Sequence, residues 1–258
     1  MSDGLAYIID DSTPYTQLLP ADRLRGLDLG LRGPDGYAGV AEPFPESLLI
    51  PRSEWQGRIA EREERKATIW HKAALDGWKV KDQNGTNYCW INAPTACIEL
   101  IRLFQNEERV VLSPASGGAQ IKNYRNVGGW GKEALEWIGE NGLAPVSLWP
   151  ANAISRQYAT ATTLATAKMY RQTEWWELKV RSLDQLVSCL LRDHPVAVGY
   201  NWWGHEVTAC DPVWLDGTVA VRIANSWGEG WGEKGWGILQ GNRMLPDDAC
   251  APRVAIAW

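Results

Sequence analysis

Gln83-Asn84-Gly85-Thr86-Asn87-Tyr88-Cys89-Trp90-Ile91-Asn92-Ala93 decides the reading of this chain, because a loop of turn-forming residues there runs into an apolar stretch with helical spacing. Ala93, Cys97, Leu100, Ile101 and Phe104 continue at the helical interval and predict one buried face. Cys89 then stands at a helix entrance, where unpaired backbone N–H groups and the positive end of the helix dipole favour a thiolate over a thiol. A lone cysteine beside an apolar run is more often a small buried hydrophobe, and Cys97 is read that way. Pro94 interrupts the pattern: past the first turn it removes a backbone hydrogen bond, so a kink or irregular first turn is expected just after Cys89.

Two later stretches change the weight given to Cys89. Gly204-His205-Glu206-Val207-Thr208-Ala209 places a histidine at the start of an extended run, and Ile223-Ala224-Asn225-Ser226-Trp227-Gly228 places an asparagine before a tryptophan and a glycine-rich loop. Cys, His and Asn in that chain order are a nucleophile, its base and the group that orients the base. With Gln83 six positions before Cys89, the Cys89-Trp90 pair, Val127-Gly128-Gly129-Trp130, Trp231-Gly232 and Gly235-Trp236-Gly237, the set resembles the papain-like cysteine peptidases over roughly the last three-quarters of the chain.

The resemblance implies a two-lobe α+β fold, with Cys89 on a helical lobe and His205 and Asn225 on a β-barrel-like lobe. It implies a thiolate–imidazolium pair of Cys89 and His205, with Asn225 holding the ring and Trp227 shielding that contact from water. Gln83 would join the Cys89 backbone N–H in stabilising the oxyanion. Gly128, Gly129 and Trp130 would form the substrate-facing turn, with Trp203 and Tyr88 narrowing the neighbouring pockets. His71 and His194 are rival bases without an orienting partner in view. The departures are a Cys89-to-His205 interval shorter than the family's span of about 130–150 positions, bulky Asn87 and Tyr88 before the nucleophile, and Thr86 with Asn126 or Val127 where secreted relatives carry a disulfide.

Bulk numbers bound the rest. At 258 residues with 45% apolar and 22% charged content, the chain is long enough for one large core or two modest lobes. A net charge of −5 argues against a general nucleic-acid binder, and no apolar run is long enough to span a bilayer. Five cysteines without metal-type spacing point to free thiols in a reducing compartment, with no metal or cofactor. The N-terminus lacks the basic and apolar regions of a secretory signal, so a cytoplasmic or virion location is expected. The sixteen tryptophans are expected mostly in the core or the cleft wall.

Residues 1–52, rich in proline and glycine, read as an extended arm, and 53–258 as the catalytic domain, with a helical lobe over about 70–150 and a β lobe over about 151–258. The arm is short and lacks the long helical pattern of the family's propeptides, which favours a docking role over blockade of the cleft. Ser53 and Gln56 are spaced as a capping box for a charged helix to about Lys66. Further helices are expected over Gly131–Asn141 and near Leu183–Leu190, and strands over 196–200, 205–210, 218–223 and 237–240, with Asp216-Gly217 as a hairpin turn. Two functions fit: a cysteine-type endopeptidase acting on peptide or protein substrates, or a papain-like structural component of a large assembly such as a phage or virus particle, joined to homo- or hetero-partners through the arm.

Overall fold

The structure, a computed structural model, describes residues 6–18, 23–27 and 42–256. Its helices are α1 (Arg52–Glu64), α2 (Ile69–Asp76), α3 (Cys89–Phe104), α4 (Pro114–Ile121), α5 (Gly131–Asn141), α6 (Ala161–Ala167) and α7 (Leu183–Leu190). Its strands are β1 (Ile8–Ile9), β2 (Glu42–Pro43), β3 (Arg171–Glu177), β4 (Val196–Tyr200), β5 (His205–Leu215), β6 (Thr218–Ala224), β7 (Trp236–Leu239) and β8 (Asp248–Ile256). The strands form one mixed sheet in the order β1-β7-β6-β5-β4-β8-β3-β2, giving the expected α+β architecture.

α3 is the helix that the opening stretch predicts. Pro94 lies inside it, and the helix continues to Phe104. The irregularity is confined to the first turn, where the N–H groups of Ile91 and Asn92 both donate to the Tyr88 carbonyl, at 3.2 and 3.0 Å. Small residues on one face, Ala93 and Cys97, meet Ala197 of β4, so the helix lies close against the sheet. Thr208 of β5 donates to the Ala93 carbonyl at 3.1 Å and ties helix to strand one turn from Cys89. That close approach brings the start of α3 beside the start of β5.

Other expected elements are present with shifted ends. α1 begins one residue early, after Pro51, and no side chain caps it, so the Ser53–Gln56 box is not made. Proline before the first turn already supplies the extended entry geometry. At α7 the Ser182 hydroxyl accepts from the Gln185 N–H, while the Gln185 side-chain oxygen accepts from Lys179 instead of closing the box. Asp216 and Gly217 both have positive φ, 49° and 78°, as a two-residue hairpin between right-twisted strands requires.

One large apolar cluster lies on the strand side, and a second, around Trp90, Leu135 and Trp149, fills the space between α3, α4 and α5. The described parts of residues 1–52 belong to this framework. β1 pairs in parallel with β7, and β2 in parallel with β3, so the N-terminal segment supplies both outer strands of the sheet. Ile9, Leu18, Phe44 and Ile50 are buried in the larger cluster. The arm thus docks on its own chain.

Candidate active site

Four sequence-nominated groups meet at one place because two distant segments pair. Asp82 and Trp227 form an antiparallel bridge, the Gln83 N–H donates to the Ser226 carbonyl at 2.8 Å, and the Gly228 N–H donates to the Lys81 carbonyl at 2.9 Å. This joins the loop before Cys89 to the loop after Asn225. Gln83 is fully buried, and its side-chain oxygen accepts from the Ser226 hydroxyl at 2.7 Å, which aims its Nε2 toward the groove.

His205 and Asn225 are hydrogen-bonded through Nε2 and Oδ1 at 2.7 Å. The same Oδ1 accepts from the Ser226 backbone N–H at 2.7 Å, so it is fixed as an acceptor and the ring must donate from Nε2. That tautomer leaves Nδ1 as a lone-pair acceptor, which is buried and without a hydrogen-bond partner among the described residues. Trp227 stacks on the ring at 4.5 Å between centroids and 25° between planes. His71, bonded to Thr68 on α2, and His194, beside Trp176, lie outside this group.

The Gly26 N–H donates to the Cys89 sulfur at 3.2 Å, and the backbone N–H groups of Glu206 and Trp90 also face it closely enough to favour the thiolate. The Glu206 contact places the sulfur beside the first residues of β5. Sγ and the His205 ring are nevertheless not hydrogen-bonded to each other, since Nδ1 has no partner. Burial pushes the thiol up to about 12, and the nearby Glu206 charge pushes the same way against the three N–H donors. The imidazole is held down at about 4 by burial, with the Arg25 charge adding to the effect and the Asn225 bond opposing it. Burial thus favours the neutral form of both groups.

The position of the arm overturns the expectation for it. Residues 23–27 lie in the groove. The Gln83 Nε2 donates to the Leu24 carbonyl at 3.0 Å, the Gly26 N–H donates to Cys89 Sγ at 3.2 Å, and the Gly129 N–H donates to the Gly26 carbonyl at 2.8 Å. Leu27 forms a parallel bridge with Gly129 and donates to the Gly204 carbonyl at 3.4 Å. Arg25 donates to the Trp203 carbonyl at 3.3 Å, and Arg23 pairs with Asp82 at 2.6 Å. Lacking a long helical pattern did not keep the arm out of the cleft, because five extended residues suffice to cross it.

The nominated binding residues divide. Gly129 contacts the arm as a substrate-facing turn would, and a Cβ there would lie 2.6 Å from the Trp90 ring, which explains the glycine. Gly128 precedes it in the same turn, and Trp130 leads into α5 in extended backbone, almost fully buried. Trp203 is a wall of the site: its ring meets His205 edge-on at 5.1 Å, and its Nε1 donates to the Leu18 carbonyl at 3.2 Å. Tyr88 is not a wall. Its ring is buried in the helical cluster and its hydroxyl donates to the Arg125 carbonyl at 2.8 Å, an acceptor that lets the phenol turn inward.

Three further features escaped the sequence reading. Glu206, buried beside His205, accepts from the Gly131 N–H at 3.0 Å at the start of α5, where a helix dipole favours a carboxylate. Asn126 clasps the nucleophile loop: its Oδ1 accepts from the Asn87 N–H at 2.6 Å, its carbonyl accepts from the Asn87 side chain at 3.1 Å, and its Nδ2 donates to the Gly85 carbonyl at 2.9 Å. The third is the arm segment itself, whose signal was the recurrence of Leu-Arg-Gly at 24–26 and 31–33; the second copy lies outside the described residues.

Among known proteins, the chain is 25% identical over 186 residues to digestive cysteine proteinase 3 of Homarus americanus, covering 64% of this chain and 58% of that protein. It is 26% identical over 172 residues to cathepsin L 2 of Paramecium tetraurelia, covering 60% and 53%, so it spans little more than half the length of these relatives. Among solved structures, digestive procathepsin L 3 of Tenebrio molitor superposes with a TM-score of 0.60 at 19% identity over 93% of this chain and 78% of that one. Recombinant stem bromelain precursor gives 0.63 at 19% identity over 84% and 76%. No protein-family model matches the chain. The chain has the papain-like fold and is similar, at low identity, to papain-like cysteine peptidases.

Proposed function

We propose that this divergent papain-like chain is a cysteine-type endopeptidase held latent by residues 23–27 of its own arm. The observation that carries the reading is a peptide already lying across the groove, with the Leu24 carbonyl on Gln83 Nε2 and the Gly26 amide on Cys89 Sγ. In an open groove, a substrate carbonyl carbon would take the place beside the sulfur. His205 Nδ1 would accept the thiol proton as sulfur bonds to that carbon, and the oxygen would take the electron pair, stabilised by Gln83 Nε2 and the Cys89 backbone N–H. The imidazolium would then protonate the leaving amine as the C–N bond breaks. Water would release the acyl group from sulfur, with His205 taking its proton.

The arm escapes this chemistry through its register against the sulfur. The sulfur faces an amide N–H at Gly26, not a carbonyl carbon, so its lone pair meets a donor instead of an electrophile. The Arg25 charge also disfavours the imidazolium that the first step needs.

The test is hydrolysis of an unstructured protein substrate by the Gly26→Ala chain, in which the arm cannot seat. Cys89→Ala and His205→Ala in that background are expected to lower kcat/KM by about 10³-fold or more. Hydrolysis that persists in Cys89→Ala would overturn the assignment.

A further inference from the structure

Gly26 passes over Cys89 through a gap bounded by backbone. A Cβ on Gly26 would lie 1.7 Å from the Asn87 carbonyl oxygen and 2.4 Å from its carbon. Real Cβ contacts do not reach such distances, so either the occupant lacks a side chain or the carbonyl moves. The carbonyl is held on both sides. On one side Asn87 is clasped by Asn126 through its main-chain N–H and its side chain, with Gly85 bound to the same residue. On the other, Tyr88 is buried, with its hydroxyl on Arg125 and its ring packed against Gly118, where even an added Cβ would meet the ring at 3.0 Å. A peptide unit with both neighbours fixed cannot swing its oxygen aside.

Resting on the proposed use of this groove, we propose that Asn126 is a specificity-determining residue: by pinning the Asn87 carbonyl, it admits to the groove only peptides with glycine against Cys89, in the pattern Leu-Arg-Gly-Leu. Each position of the pattern has its own contact. The first leucine presents its carbonyl to Gln83 Nε2, and the arginine reaches the Trp203 carbonyl. The glycine bonds Cys89 Sγ and Gly129, and the last leucine is almost fully buried, with its N–H toward the Gly204 carbonyl. Asn126 touches none of the reacting atoms and acts through Asn87.

The experiment reads protection of Cys89 from iodoacetamide by mass spectrometry, a signal that does not require turnover. The full-length Gly26→Ala chain should expose Cys89, raising its alkylation rate about 100-fold over the unmodified chain. The synthetic peptide Arg-Leu-Arg-Gly-Leu should then restore protection at a concentration about 30-fold below that needed of Arg-Leu-Arg-Ala-Leu. Adding Asn126→Ala should shrink that gap to about threefold, and Asn126→Asp, which keeps the acceptor for the Asn87 N–H, should retain part of it. Leu27→Asp offers a second way to empty the groove should Gly26→Ala impair folding, with the thermal midpoint as control. Equal protection by the two peptides, an unchanged gap in Asn126→Ala, or a Gly26→Ala chain as protected as the parent would each overturn the gate. If the gap behaves as expected while no variant hydrolyses peptide, the gate stands and the peptidase assignment fails.

Discussion

Residues 6–18 and 23–27 belong to one arm and are held by opposite kinds of contact. The first stretch is fixed by burial: Ile9 and Leu18 are fully enclosed in the large cluster, and Ile8–Ile9 extends the sheet along β7. The second is fixed mostly by polar contacts to the groove's own groups: Leu24 remains 41% exposed, and Leu27 is its one buried aliphatic side chain. Enclosing two large aliphatic side chains contributes about 1.5–3 kcal/mol each. A hydrogen bond whose partners water or another peptide would equally satisfy contributes about 0.5–1.5 kcal/mol. A weakly held segment strung from a firmly held one is the arrangement expected of a part that opens locally while the fold stays intact.

The largest expected effect separates the two stretches by readout. Gly26→Ala should raise Cys89 alkylation about 100-fold with the denaturation midpoint unchanged, whereas Ile9→Ala and Leu18→Ala should each cost about 2–5 kcal/mol of global stability. A Gly26→Ala chain that melts early, or an Ile9→Ala chain as stable as the parent, would erase the distinction.

Acidity sharpens it next. His205 is held well below its ordinary 6.5, chiefly by burial and further by the Arg25 charge, and that charge leaves with the groove segment, so the ring binds a proton less readily while the segment is in place. The filled groove is therefore favoured where the ring is neutral and loses ground as pH falls into the range where the ring takes a proton. Alkylation of Cys89 in the unmodified chain should rise as pH falls from 7 to 5, opposite to the trend of a free thiol. Asp211 has the reverse sign: buried behind the N–H groups of Ile69 and Trp70, its carboxyl is raised to about 6 by desolvation. Its contribution to the global fold grows as pH falls from 6 toward 4, so unfolding and groove opening should respond to acid in opposite senses at this pair of groups. Asp211→Asn should flatten the first response and leave the second.

The smallest effect tests the outer end of the groove segment. Arg23 and Asp82 form a partly exposed ion pair at 2.6 Å, worth at most about 1 kcal/mol. Arg23→Ala should raise Cys89 alkylation only a few-fold, and less at high salt. A change as large as that of Gly26→Ala would shift the weight of closure from the glycine to the ion pair.

Much of the molecule was legible because its signals are local. Helical spacing after Cys89, the Asn141-Gly142 stop of α5 and the Asp216-Gly217 turn each depend on neighbours a few residues away, and all are formed. The groups meeting at the groove were legible for another reason: chemistry restricts which residue types serve as nucleophile, base and orienter. What stayed hidden depends on partners far along the chain. β3 and β8, with tryptophans and Pro252, do not alternate cleanly; β8 is set by pairing with both β4 and β3, and β3 by pairing with β8. β1 and β2 are two residues each, too short to leave any pattern. Glu206 read as one polar residue in a strand until the start of α5 was placed against it. The seat of Gly26 follows from the position of the Asn87 carbonyl, which no residue type announces.

Both outermost strands, β1 and β2, come from the segment that flanks the groove-crossing residues. A blocker sewn down on either side cannot diffuse away, so reclosure is a unimolecular event. Any free peptide reaching for Cys89 competes with a local concentration of roughly millimolar. On the proposed reading, dilution alone leaves the groove filled.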